Sequence, residues 1–189
     1  MATETRTVYF ERPGHENTGC VLEIVRERAA ALGIRQVVVA SYTGETGAAA
    51  AEALPDCEVV VAAGVVGYQE PNRHGFLDDN RRRIEAAGGC VFHSGHSFGM
   101  LGRAVNKRFG TIQVDEVVAH VLRLFSQGVK VCCEVACMAA DAGRLRVGEE
   151  AVAIGGSARG ADTAVVLRPA NTHAFFDTRV LEVLCKPRG

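Results

Sequence analysis

The sequence carries almost no net charge. Its 21 Lys and Arg stand against 22 Asp and Glu, a formal charge of −1. No block of like charges stands out, so nucleic-acid binding has no electrostatic support. Arg81-Arg82-Arg83 is a short basic cluster after Asp78 and Asp79 and reads as the solvated face of a helix. No apolar run approaches the roughly 20 residues that a membrane-spanning helix needs, so no membrane contact is expected. The first residues, MATETRTVYFERPG, lack the apolar core of a signal peptide. The seven cysteines are an odd number. They lack the paired spacing of a secreted disulfide framework or a zinc knuckle. No metal site is expected, and the compartment expected is the reducing cytoplasm. Internal repeats and low-complexity linkers are missing as well. The Gly/Ser/Arg stretch 155–163 is short and lies between two apolar runs, so it is a loop and not a domain joint.

What is present is an ordinary globular balance, 48% hydrophobic and 23% charged. At 189 residues the chain can bury a real core, and residues 1–189 are expected to form one domain. Val8-Tyr9-Phe10 is a short strand. A helix follows, capped at Asn17 or Thr18, with Leu22, Val25, Ala29 and Leu32 at helical spacing and Gly33 as its stop. Fully apolar strands are expected at 36–40 and 58–64, with a helix 47–54 between them. Further helices are expected over 76–87, 98–107, 116–126 with Asp115 as cap, and 129–142. Strands are expected at 90–93, 150–154 and 164–167, and the weakly alternating run 179–186 is either strand or helix, with strand favoured. Strands alternating with helices give a three-layer α/β/α sandwich with a mostly parallel sheet. The strands near 152 and 165 have only a loop between them. One antiparallel strand is therefore expected, which makes the sheet mixed.

In such a sheet, ligands sit beyond the carboxyl ends of the parallel strands. The stretch 37-VVVASYTGETGAAAAEAL-54 runs from a strand end into a helix N-terminus, where backbone N–H groups and the helix dipole favour an anion. Ser41, Thr43 and Thr46 add hydroxyls, and Gly44 and Gly47 permit close backbone approach. Glu45 repels an anion and is expected to point away or touch another part of a ligand. The Gly-Lys-Ser/Thr ending of a Walker loop is missing. A well-capped turn with no ligand is the plain alternative. The second loop, 152-VAIGGSARGADTAVV-166, offers Gly155, Gly156, Ser157, Gly160 and the fixed cation Arg159, with Asp162 and Thr163 at the next strand. It is also explained as a long hairpin loop. A third strand-end loop, 64-GVVGYQEPNRHG-75, carries Gly64 and Gly67; either Tyr68 or His74 suits a ring system, with an ordinary surface loop the equal alternative.

These loops, in this order and spacing, resemble those of the C-terminal domain of pyruvate kinase. There a Thr/Ser-Gly loop and a later glycine-rich hairpin hold a sugar-phosphate effector. The chain as a whole is similar to a stand-alone family with that fold. Its members are archaeal and bacterial proteins of unassigned function, some seen with flavin mononucleotide (FMN). The stretches that carry the likeness are YFERPGHENT (9–18), VVVASYTGETG (37–47), QGVKVCCEVACMAADAG (127–143), AIGGSARGADTAVVLRPANTHAFFD (153–177) and KPR (186–188). The segment 93-HSGHSFGMLGR-103 departs from the pattern. The resemblance implies FMN as cofactor, and the residues expected to hold it are Ser41, Thr43, Gly44, Glu45, Thr46, Gly64, Gly67, Lys130 and the 155–163 loop. It implies no kinase activity.

The helix near 129–142 is apolar almost all round, so it is buried. Yet Lys130, Glu134, Cys137 and Asp141 fall on one arc of roughly 60°. Either Lys130 and Glu134 pair on an exposed or subunit-facing strip, or the strip lines the site with Lys130 near an electron-rich ring edge. Cys132, Cys133 and Cys137 read as small packing residues. Cys20, in a first helical turn, is expected to pack in the core, with a reactive thiol the weaker alternative.

Gly95-His96-Ser97-Phe98-Gly99 matches the G-x-S-x-G nucleophile elbow, with Asp141 or Asp162 and then His173 as partners. A serine hydrolase using Ser97 is thus a third reading. His96 or His93 are alternatively contacts to a ligand. The leading expectation is an FMN-binding protein, with a flavin-dependent oxidoreductase as one form of it. The alternative is a non-catalytic sensor of a phosphorylated metabolite. Catalysis itself stays open, with Lys130, Glu134 and His96 as the weak catalytic candidates. A homo-oligomer also stays open.

Overall fold

The computed structural model describes residue 2 and residues 4–189. Met1 and Thr3, part of the N-terminal stretch read above as lacking a leader core, lie outside the described residues. Seven strands form one sheet: β1 (Val8–Phe10), β2 (Gln36–Ala40), β3 (Glu58–Ala63), β4 (Cys90–His93), β5 (Ala151–Gly155), β6 (Thr163–Arg168) and β7 (Arg179–Pro187). Their spatial order is β1-β7-β6-β5-β2-β3-β4. Only β6 runs against its neighbours, pairing antiparallel with both β5 and β7. The other pairs are parallel. This is the mixed sheet expected, with β6 as its one antiparallel strand.

The central strands are apolar on both faces, and the two-residue period sorts them into two cores. Val37, Val39, Val59, Val61, Val152 and Ile154 pack on α1 (Thr18–Leu32), α2 (Glu45–Ala53) and α3 (Asp78–Ala86). Val38, Val60, Ala62, Ala153 and Val165 pack on α6 (Gln127–Asp141) and on Ala119 of α5 (Val114–Arg123). A further helix, α4 (Leu101–Phe109), rests on α5. The result is a three-layer α/β/α sandwich. Short 3₁₀ turns at His15–Asn17 and Thr172–Asp177 were not expected.

Several boundaries differ from the sequence reading, each for a local reason. β3 ends at Ala63, one residue early. α2 starts at Glu45 and not at 47, because the Ser41 hydroxyl accepts the Gly47 N–H at 3.1 Å and winds the turn earlier. Phe76 precedes α3 and is buried under it. Phe98 precedes α4, its backbone N–H held by Glu134. The cap of α5 is Gln113, in a reciprocal capping box with Glu116, and not Asp115. α6 begins at Gln127, capped by Ser126, whose hydroxyl accepts from Val129 N–H at 3.0 Å. The terminal run is the strand favoured from sequence. Among the described residues no helix is long and apolar enough to cross a membrane.

Candidate functional site

β2 leads toward β3 on one side, and β5 leads toward β6 on the other. Loops that part in this way open a crevice at the carboxyl ends of their strands. Two cavities flank it, and the Ser41–Thr46 turn contributes to both.

The first cavity, of about 290 Å³, lies on the α6 side. Ser41, Tyr42 and Gly64 form one wall, and Gln127, Lys130 and Glu134 of α6 form another. Tyr68, His96, Arg103 and Arg123 complete it. Lys130 and Glu134 are each only 5% exposed. They make an i,i+4 ion pair, and the other Glu134 oxygen accepts the Phe98 N–H at 3.0 Å. The Lys130 ammonium stands 5.9 Å from the Phe98 ring centre. The pair is therefore buried at a cavity wall and not on an exposed strip. The rest of the predicted arc goes elsewhere. Cys137 is buried, and Asp141 accepts from Thr172 and Asn171 at the far end of the helix.

Burial pushes the His96 pKa down; Glu134 opposes this, while Lys130 and Arg103 add to it. The imidazole is thus neutral at neutral pH. It lies 5.7 Å from the Tyr68 ring, whose hydroxyl bonds to Arg103. His93 behaves differently. Its Nδ1 is 2.9 Å from the Gly64 carbonyl, and Arg81 approaches Nε2 at 3.2 Å. The guanidinium can only donate, so Nδ1 carries the proton. His93 is a brace between β3, β4 and α3, with His74 packed on it at 5.0 Å.

The second cavity, of about 370 Å³, lies on the α1–α2 side. It is lined by Glu45 and Thr46 at the start of α2, by Arg159 and Gly160 of the 155–163 loop, and by His15 and Thr18. Gly47 N–H is taken by Ser41. The remaining donors of the first turn of α2 are the ones a helix leaves open. Arg159 is exposed and forms no salt bridge among the described residues. Glu45 is an exposed residue that also lines this cavity.

Other predicted residues make contacts within the protein. Thr43 lies in neither cavity wall, and its carbonyl accepts from Leu77 N–H and Asn80 Nδ2, both at 3.0 Å. Gly44 has φ 90°, and a Cβ there would meet Asn80 and Phe76 at 2.7 Å. Its close approach is therefore to α3. A Cβ at Gly64 would meet the Tyr42 ring at 2.7 Å, so this glycine seats Tyr42. Gly67 closes a local turn by donating to the Arg73 carbonyl at 2.8 Å. Gly155 touches α6, and Gly156 lies under the Gly160 carbonyl. Asp162 is buried and accepts from Ser157 N–H at 3.0 Å and from the Thr163 hydroxyl at 2.7 Å. Thr18 does not cap α1; its hydroxyl accepts the Ala161 N–H at 3.0 Å and ties the 155–163 loop to α1.

The elbow motif meets a different setting. β4 ends at His93 and α4 begins at Leu101, so Ser97 sits within a loop and not on a sharp strand-to-helix turn. Its hydroxyl bonds to that of Thr172 at 2.8 Å, which in turn bonds Asp141. No histidine hydrogen-bonds Ser97 among the described residues, and His173 is not interposed. Cys132, Cys133, Cys137 and Cys185 are buried, and burial pushes Cys133 up to about 12 and Cys137 up to about 11. Cys20 is exposed and not in the core. Sequence reasoning missed Tyr42, Arg103 and Arg123 as cavity residues. The hint for Arg123 was its place four residues before Gln127, whose amide oxygen accepts from it at 2.7 Å.

No protein-family model matches the chain. Among solved structures, an O-ureido-L-serine synthase variant with bound O-ureido-L-serine is similar over 67% of this chain. The identity is 18% and the TM-score 0.30, and the chain spans only 39% of that protein.

Proposed function

We propose that the protein binds a phosphate-bearing ligand of the FMN class at the crevice between the ends of β2 and β5. The observation that carries this is that Thr46, at the start of α2, and Arg159 line the same cavity. A hydroxyl, a guanidinium and open helix N–H groups are the donor set a phosphate takes. The residues thus fit the phosphate end. The first cavity, on the α6 side, adds Tyr42, Tyr68 and neutral His96 as flat walls, with Lys130 as a cation at its edge. That set fits a ring carrying polar atoms. FMN would supply hydride or electron transfer there, and the chain would supply position and charge.

The resemblance to the stand-alone pyruvate kinase C-terminal-like family supports the same ligand. A non-catalytic sensor is the second reading. It is favoured by the commitment of Lys130 and Glu134 to each other and to Phe98, which leaves neither poised for proton transfer.

The test is the visible absorption of freshly purified protein, followed by titration with FMN, riboflavin and inorganic phosphate. A yellow protein, or FMN affinity at least about tenfold above riboflavin, supports the reading, since charge-assisted phosphate contacts contribute about 1.5–3 kcal/mol. A colourless protein that takes up no FMN overturns the flavin. Binding of phosphate alone would then leave the sensor.

A further inference from the structure

Besides Lys130, two more cations line the α6-side cavity, Arg103 of α4 and Arg123 of α5. Glu134 is the one carboxylate in that lining, and both of its oxygens are taken. Lys130 holds one and the Phe98 N–H holds the other. Neither arginine has a carboxylate partner among the described residues. Arg28, Arg83, Arg146 and Arg168, by contrast, each pair with a glutamate. The cavity is therefore left positive by two guanidiniums.

Both guanidiniums are nevertheless held in place. Arg103 donates to the Tyr68 hydroxyl and lies over the Tyr68 ring, 5.3 Å from its centre. Arg123 donates through Nε to the Gln127 amide oxygen at 2.7 Å. Both anchors are neutral, so they orient the cation and leave its charge uncompensated. Each guanidinium keeps further N–H groups open. Fixing a long side chain costs rotamer entropy, which a merely solvated charge has no need to spend. The other polar groups of the lining add donors as well. The Ser41 hydroxyl accepts the Gly47 N–H and keeps its own proton to give, and Gln127 keeps its amide N–H groups. The α6 wall between them is apolar, with Val131, Val135 and Met138.

We infer that the α6-side cavity binds a small organic acid, with its carboxylate on Arg103 and Arg123 and its body against the apolar wall of α6. The planar fork of a guanidinium matches the two oxygens of a carboxylate. Fixed donors with no open carboxylate select an anion, and the valines and Met138 select one that carries apolar atoms. At about 290 Å³ the cavity lies at the low end for ligand sites, which keeps that body small. The inference goes beyond the phosphate-bearing ligand proposed above. It concerns only the arginine-lined part of this cavity and holds whether or not a flavin ring stands against the tyrosines. The phosphate end of that ligand belongs to the other cavity, with Thr46 and Arg159.

Calorimetric titration of the full chain with propionate, benzoate and succinate tests it, each beside its neutral amide and beside inorganic phosphate. At least one acid should bind saturably, and about tenfold or more tighter than its amide, from charge-assisted bonds. Arg103→Gln and Arg123→Gln should each weaken that acid about tenfold or more. Neither arginine is buried, so both variants should fold, and far-UV circular dichroism checks them. Thr46→Val should leave acid binding unchanged, so this inference and the phosphate reading fail separately. No saturable binding by any of the three acids overturns the proposal. So does an acid that binds no better than its amide, or one that both arginine variants bind as well as the wild type. Phosphate that binds tighter than every acid, and is lost with the same two variants, also overturns it and gives the arginines to a phosphate.

Discussion

Glu134 accepts the backbone N–H of Phe98 at 3.0 Å. Through this one contact, the buried ion pair on α6 fixes where the segment after β4 lies. Phe98 in turn packs edge-on to Phe175, at 5.0 Å between ring centres, and so reaches the turn before β7.

Removing one member of the pair leaves the other buried and unpaired. Lys130→Met is expected to cost about 3–5 kcal/mol. The double variant Lys130→Met with Glu134→Gln keeps an acceptor for Phe98 and should recover much of that loss. Urea unfolding of the three proteins checks it. A single variant as stable as the wild type would show the charges are solvated.

Thr46→Val and Arg159→Gln should each weaken FMN or phosphate binding by about tenfold or more, from lost charge-assisted bonds. Thr43→Val should leave binding unchanged, because Thr43 lies in neither cavity wall. Titration followed by flavin fluorescence separates the two outcomes. The reverse ranking would move the phosphate to the other end of the turn.

Gly44→Ala combines a left-handed backbone with a Cβ 2.7 Å from Asn80 and Phe76. A loss of about 2 kcal/mol or more is expected, seen as a lower melting temperature. Gly110→Ala, which meets no neighbour within 4 Å, should lose less and serves as the comparison for backbone strain alone.

The His96 pKa is lowered in the folded state from its usual 6.5. The unfolded chain therefore takes up the proton first as pH falls, and stability drops below about pH 6.5 and continues to drop through the lower folded pKa. In His96→Gln this part of the loss should vanish. Chemical unfolding of both proteins at several pH values between neutrality and pH 5 measures it, and parallel curves would assign the acid loss to other groups.

Native thiol labelling should find Cys20 first, since it is exposed. Cys132, Cys133, Cys137 and Cys185 should react only on unfolding. Mass mapping after a short exposure to iodoacetamide decides this. Rapid labelling of Cys133 would mean that α6 opens readily.

The sheet was legible because its strands are short apolar runs bounded by turn residues, as 36–40 and 151–155 are. The antiparallel sense of β6 followed from the lack of room for a helix between Gly155 and Thr163. The site was less legible. Lys130 and Glu134 give the same i,i+4 spacing whether exposed or buried, so only the packing of α6 on the sheet shows that they face a cavity. Glycines mislead in the same way. Gly44 looks like a seat for a ligand, but a Cβ there would meet Phe76 and Asn80, contacts that no local pattern encodes. Gln113 is an uncommon cap, recognisable only with Glu116 already in place.

The pairing of β1 with β7 has a consequence for the order of assembly. The hydroxyl of Thr7 donates to the Val183 carbonyl, 176 positions along the chain, and Val8 registers with Cys185. Contacts of such long separation carry the largest closure entropy and form late. As the chain emerges from a ribosome, β2, β3 and β4 can pair as they appear, whereas β1 waits unpaired until almost everything else has been made. Losing β7 would therefore strip two strands from the sheet and leave the edge of β6 bare.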